Sequence, residues 1–226
     1  MVRFVWMGMP RPWQARISVI DDKANVAADC LDHAIENPQF PKTQLGRPLR
    51  LKITPTNLPG VMIVEVDAIA DERGLFARTF CADTFSKNGL IDHFPQCNVS
   101  WNPHRGTLRG MHYQAEPYPE VKLVRCTRGR ILDIAVDLRA DSPTYLKWTS
   151  AELDADQRNA LYIPAGCAHG FQTLVGDCEV FYHMGAAYKP DFARGVRWDD
   201  PAFAIDWPLP PERLSERDAN YRDYQP

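Results

Sequence analysis

The sequence predicts an all-β fold, a sandwich, barrel or jelly roll. Two observations carry this. Beyond residue 50 the chain breaks into short runs rich in β-branched and aromatic residues, separated by turn residues, and little of it repeats with helical period. Residues 1–49 stand apart from the domain at 50–226. Pro10, Pro12, Pro38, Pro41 and Pro48 break them up, a short helix over Val26–Ala34 is the one element they suggest, and they read as a partly ordered extension. In the domain, Val61–Val66 has strand composition. Asp83 is placed to cap a short helix over Thr84–Asn88, ended by Gly89. Leu108–Met111 runs into His112 at the expected end of a strand. Lys122–Cys126 and Arg130–Leu138 flank Thr127-Arg128-Gly129, which predicts a hairpin. In the second arm Leu132, Ile134, Val136 and Leu138 share one face, and Ile131, Asp133, Ala135 and Asp137 share the other. That alternation suits a barrel with a partly polar interior. Further strands are expected at Trp148–Leu153, Ala160–Ile163, Phe171–Leu174 and Glu179–Met184.

Composition narrows the function. With 226 residues, 45% of them hydrophobic, the chain is long enough to bury a substantial core. A net charge of −3 argues against a nucleic-acid surface, although basic clusters at Arg105–Arg109 and Arg125–Arg130 could meet one small anion. The six cysteines have no C-x-x-C spacing and read as small buried hydrophobes in a reducing compartment. Gly8, Pro10 and Pro12 interrupt the start of the chain, so no signal peptide is expected. No apolar run is long enough to span a bilayer. The expected location is the cytoplasm.

The chemistry concentrates in three places: Asn98–Arg125, Pro164–Phe171 and Glu179–His183. His112 offers a base that titrates near neutral pH, Lys122 a cation for an oxyanion, and Tyr182 a phenol that can return a proton. Each alone has an ordinary structural reading; together they suit proton transfer beside a carbonyl. His169 sits in Pro164-Ala-Gly-Cys-Ala-His169, the spacing of the second cupin motif, which raises a metal site. His112, however, is followed by Tyr113 and Gln114, so the H-x-H of metal-binding cupins is missing and no metal is expected. A metal-dependent oxygenase or isomerase and a non-catalytic sugar-binding jelly roll are the competing classes.

Longer motifs then carry a resemblance. DERGLFARTF (Asp71–Phe80), QCNVS (Gln96–Ser100), GTLRGMHYQ (Gly106–Gln114), KLVRC (Lys122–Cys126), PAGCAHGF, FYH, RWDDPAFAIDWP (Arg197–Pro208) and LSERD (Leu214–Asp218) follow one another as in the dTDP-4-dehydrorhamnose 3,5-epimerase family. The resemblance implies a metal-free cupin jelly roll that forms a homodimer. It implies that the enzyme epimerises a nucleotide-linked 4-keto-6-deoxyhexose at C3 and C5 without a cofactor. It also implies roles: His112 as base, Asp218 as its orienting carboxylate, Lys122 as enolate stabiliser and Tyr182 as acid. Arg73, Gln96, Asn98 and Arg109 match positions that hold the nucleotide diphosphate and sugar, Phe76 would lie near the base, and His169 would be a pocket residue.

Three positions depart from the family pattern. Arg78 stands where a glutamate is frequent, and a cation there suits an acceptor such as N3 or O2 of cytosine better than the N3–H of thymine. A CDP-linked sugar is therefore an alternative to dTDP; the plainer reading has Arg78 in solvent or paired with Asp83. Ala187-Tyr188 replaces two adjacent tyrosines, leaving Tyr188 as the single aromatic platform. His183 follows Tyr182 where a lysine is frequent. Inversion at one carbon, C3 or C5, is equally compatible with these residues.

Overall fold

The computed structural model describes residues 49–225. The suggested helix over Val26–Ala34 lies outside them. Thirteen strands, two short α-helices and one 3-10 turn make up the described chain. In order the strands are β1 (Leu51–Pro55), β2 (Met62–Val66), β3 (Ala68–Asp71), β4 (Gly74–Ala77), β5 (Gln96–Asn102), β6 (Leu108–Gln114), β7 (Lys122–Arg128), β8 (Arg130–Asp137), β9 (Trp148–Asp154), β10 (Ala160–Ile163), β11 (Cys167–Thr173), β12 (Cys178–Met184) and β13 (Ala193–Gly195). The helices are α1 (Ala82–Lys87) and α2 (Glu216–Ala219). One sheet has six strands in the order β1-β2-β10-β7-β12-β5, and a second has five in the order β13-β6-β11-β8-β9. The two sheets face each other as the cupin-type jelly roll that the sequence leads one to expect, and β3 and β4 form a separate hairpin.

Period-two alternation places the core between the sheets. Val124 and Cys126 of β7, Ile131 and Ala135 of β8, Phe171 of β11, and Cys178 and Val180 of β12 form one buried cluster. The outer faces are covered as well. Phe85 of α1 packs with Val64, Leu123, Ala160 and Tyr162 on the six-stranded sheet. Val196 and Phe203 of the C-terminal segment cover Met111, Ile134, Val136 and Ala168 on the other. Both faces of β8 are therefore buried.

Several expectations need correction. Lys122–Cys126 and Arg130–Leu138 are not the arms of a hairpin: β7 lies in the six-stranded sheet and β8 in the five-stranded one. Gly129 turns the corner between them. Its φ is +76°, and a β-carbon there would fall 2.7 Å from Cys178 Sγ, so glycine suits both the conformation and the space. The first helix begins two residues earlier than its polar signals suggest, after Cys81, which makes no side-chain cap; Asp83 sits within its first turn. Cys126, Cys167 and Cys178 are buried, but Cys97 is exposed, because it points outward from β5 at the edge of its sheet.

Candidate active site

The same alternation that builds the core puts polar side chains at one end of it. Lys122 precedes Val124 and Cys126 on the inward face of β7. Tyr182 follows Cys178 and Val180 on β12, and Asp133 lies between Ile131 and Ala135 on β8. On β6 and β11, His112 and His169 are directly opposed. The close approach of these two strands depends on Gly110, where a β-carbon would lie 2.5 Å from the Gly170 Cα. A cavity of about 330 Å³ opens here, lined among others by Asn98, Ser100, Arg109, His112, Lys122 and Tyr182. His169, Tyr188, Glu120 and Arg217 also line it.

The His112 Nε2 lies 2.7 Å from Asp218 Oδ1, and the Gly110 N–H donates to the other carboxylate oxygen at 3.2 Å. Asp218 sits in α2, a single helical turn whose start is capped when Ser215 Oγ accepts from the Asp218 N–H. Burial pushes the Asp218 carboxyl up, but the bonds from His112 and Gly110 outweigh it and hold the group below the ordinary aspartate range. The carboxylate is thus a charged anchor for the imidazole, fixing which ring nitrogen faces the cavity.

Lys122 is buried. Its ammonium donates to the His112 carbonyl at 3.1 Å and pairs with Glu120 at 2.8 Å. Across the cavity the Tyr182 hydroxyl lies 3.1 Å from Ser100 Oγ. Burial, with the Asp133 charge adding to it, pushes this phenol well above its ordinary value, so Tyr182 carries its proton throughout the neutral range. His169 forms a second imidazole–carboxylate pair, its Nε2 2.7 Å from Asp133 Oδ1, and its ring meets the Tyr182 ring edge-on at 6.2 Å. Each histidine thus has its own carboxylate. Among the described residues no cluster of three or more His, Cys, Asp or Glu side chains is arranged to hold a metal.

Of the residues singled out in the sequence, His112, Lys122, Tyr182, Asn98, Arg109, His169 and Tyr188 line the cavity, and Asp218 stands directly behind His112. Gln96 sits at the rim, where its side chain accepts from the Tyr188 N–H and donates to Asn98. Arg73, Phe76 and Arg78 lie in or just after the exposed β3–β4 hairpin and do not line the cavity. Arg73 pairs with Asp71. His183 points the other way from Tyr182, into a cluster with Phe80, Phe94 and Phe181. Sequence reasoning passed over Ser100, Glu120 and Arg217. Strand parity could have found Ser100, two residues beyond Asn98, and Arg217 adjoins Asp218; Glu120 has no strand pattern to mark it.

A family model described as dTDP-4-dehydrorhamnose 3,5-epimerase matches residues 55–225. The chain belongs to the dTDP-4-dehydrorhamnose 3,5-epimerase family. The enzyme of that name from Methanothermobacter thermautotrophicus is 45% identical over 170 residues, 74% of this chain and 91% of its own. A Streptomyces niveus relative described as dTDP-4-dehydrorhamnose 3-epimerase is 36% identical, over 74% of this chain and 81% of its own. The crystal structure of the Bacillus anthracis 3,5-epimerase with TDP and PPi bound superposes with a TM-score of 0.75 at 36% identity, covering 77% of this chain and all of that one.

Proposed function

We propose that this chain epimerises dTDP-4-dehydro-6-deoxy-D-glucose at C3 and C5, giving dTDP-4-dehydro-L-rhamnose. The observation that carries the reading is the placement of a carboxylate-backed imidazole and a buried lysine beside one cavity, with a protonated phenol across it. The C4 ketone acidifies the hydrogens on its two neighbouring carbons. His112 removes one as general base, and Asp218 supports the imidazolium that forms. Lys122 holds the negative charge on the enolate oxygen. Tyr182 donates a proton to the opposite face of the planar carbon and inverts it. Exchange with solvent then returns the imidazolium to its neutral form and the phenolate to phenol, repetition at the second carbon completes the reaction, and no step passes through a metal or cofactor.

Arg109 and Arg217, both at the cavity, offer guanidinium forks to the diphosphate, and Tyr188 offers a ring to the base. The dTDP group is supported by the relatives' names and by the TDP in the Bacillus anthracis structure. We further infer a homodimer in the cytoplasm. Leu75, Phe76, Val99 and Trp101 expose large apolar surfaces on the hairpin and the edge strand β5, which supports a partner over them.

Proton NMR of the dTDP-sugar with the protein in D2O tests the reaction. Deuterium at C3 and C5 with formation of the L-sugar is expected. Exchange at one carbon would make it a single-carbon epimerase, as the Streptomyces niveus relative's name describes, and no exchange would overturn the reading. Running the CDP-sugar in parallel tests the nucleotide.

A further inference from the structure

Tyr221 lies three residues beyond Asp218, outside the cavity and outside the chemistry described above. We infer that its ring positions the imidazole of His112, making Tyr221 a positioning residue for the base. The inference rests on the proposed role of His112.

Asp218 holds His112 through one ring nitrogen only, and the His112 side chain is 41% exposed. One hydrogen bond fixes a point, not the tilt of a ring. The Tyr221 ring supplies a second constraint: it meets the His112 ring edge-on, with centroids 6.1 Å apart and planes at 69°. Tyr221 is itself held by two neighbours. Arg217 lies 5.6 Å over its ring centroid. Gly195, the residue of β13 paired opposite His112 in the sheet, packs against it as well. A β-carbon on Gly195 would clash with the Cζ and both Cε carbons of the Tyr221 ring. Gly195 does not have a positive φ, so its backbone makes no demand for glycine; the space taken by Tyr221 does. Tyrosine, glycine and histidine thus form one packed cluster at the proposed base.

The hydroxyl is not what holds this cluster together. It is buried with Arg217 as a polar neighbour but no hydrogen bond of good geometry, and burial outweighs the Arg217 charge and raises its pKa, so it stays neutral. The ring carries the effect, and removing the hydroxyl should leave it intact.

The test is solvent-deuterium exchange with steady-state kinetics on three variants whose folding is verified by thermal melts. Tyr221→Phe should retain wild-type kcat. Tyr221→Ala should lower kcat by roughly tenfold or more, as misplacement of a reacting group does. Gly195→Ala, which pushes the ring away without removing it, should move kcat the same way. Wild-type kcat in Tyr221→Ala would overturn the inference, and so would a loss in Tyr221→Phe equal to that in Tyr221→Ala. Crystal structures provide a readout independent of turnover: His112 should hold one rotamer in the wild type and more than one in Tyr221→Ala. A single unchanged rotamer in the variant would also overturn it. Absence of exchange in the wild type would instead refute the proposed reaction, leaving the rotamer comparison to decide whether Tyr221 positions His112.

Discussion

The buried ammonium of Lys122 donates to the main-chain carbonyl of His112 at 3.1 Å. The cation and the proposed base are therefore tied to one another through the backbone, although they belong to different sheets. Any shift of β6 moves both together. This fixes the distance between the two groups on which enolate formation depends in the proposed reaction.

Replacing His112 with Asn should abolish turnover, by roughly 10²–10⁴-fold for loss of a general base, while dTDP binding survives. Isothermal titration with dTDP beside the exchange assay checks both halves. Asp218→Asn should lower turnover over the same range with binding unchanged, because the amide cannot stabilise the imidazolium.

Glu120 pairs with Lys122 where both are buried. Removing one partner of a buried pair leaves the other without its counter-charge. Glu120→Ala should destabilise the fold by about 3–5 kcal/mol, the cost of breaking such a pair, and Lys122→Met should cost about 10²–10³ in kcat. Chemical denaturation reads the first and steady-state kinetics the second.

Tyr182→Phe should separate deprotonation from inversion. His112 can still remove a proton and return one to the same face, so deuterium should continue to enter the substrate. Formation of the L-sugar should fall by roughly 10²-fold or more. Loss of exchange equal to the loss of product would contradict the assignment of Tyr182 as acid.

Stability should fall on acidification in two windows. Burial, with the Arg125 charge adding to it, lowers the His183 pKa below its ordinary 6.5, so the folded state holds this imidazole neutral. Its contribution is complete above about pH 6.5 and is lost as pH falls from there through the lowered folded value. Asp218, also lowered, contributes above about pH 4 and is lost only below that. His183→Phe, placed among Phe80, Phe94 and Phe181, should flatten the first window and leave the second. Melting temperatures from pH 7.5 to pH 3 check this.

The strand content was legible because the alternation in β8 and β12 is local, and local pattern is what a sequence displays. The corner at Gly129 was not. Two strands joined by a three-residue turn look alike whether they pair with each other or part into two sheets, since the difference lies in partners distant in sequence. The catalytic candidates were legible because His112, Lys122 and Tyr182 are unusual residue types at inward positions of strands. Arg217 and Glu120 were hidden, as charged residues outside strands resemble any solvated surface. Arg73, Phe76 and Arg78 show the reverse. Their motif is plain in the sequence, yet within one chain the β3–β4 hairpin stands clear of the cavity.

The division of the strands between two opposed sheets, of which the corner at Gly129 is one instance, has a stereochemical consequence. In the proposed reaction it gives a flat intermediate two different walls. His112 projects from the five-stranded wall, and Tyr182 from the six-stranded one. A proton taken by one wall and restored by the other must change the handedness of the carbon between them. If His112 and Tyr182 act as proposed, inversion is a property of the layering, and a base and an acid set on the same wall would only exchange the proton and leave the sugar as it was.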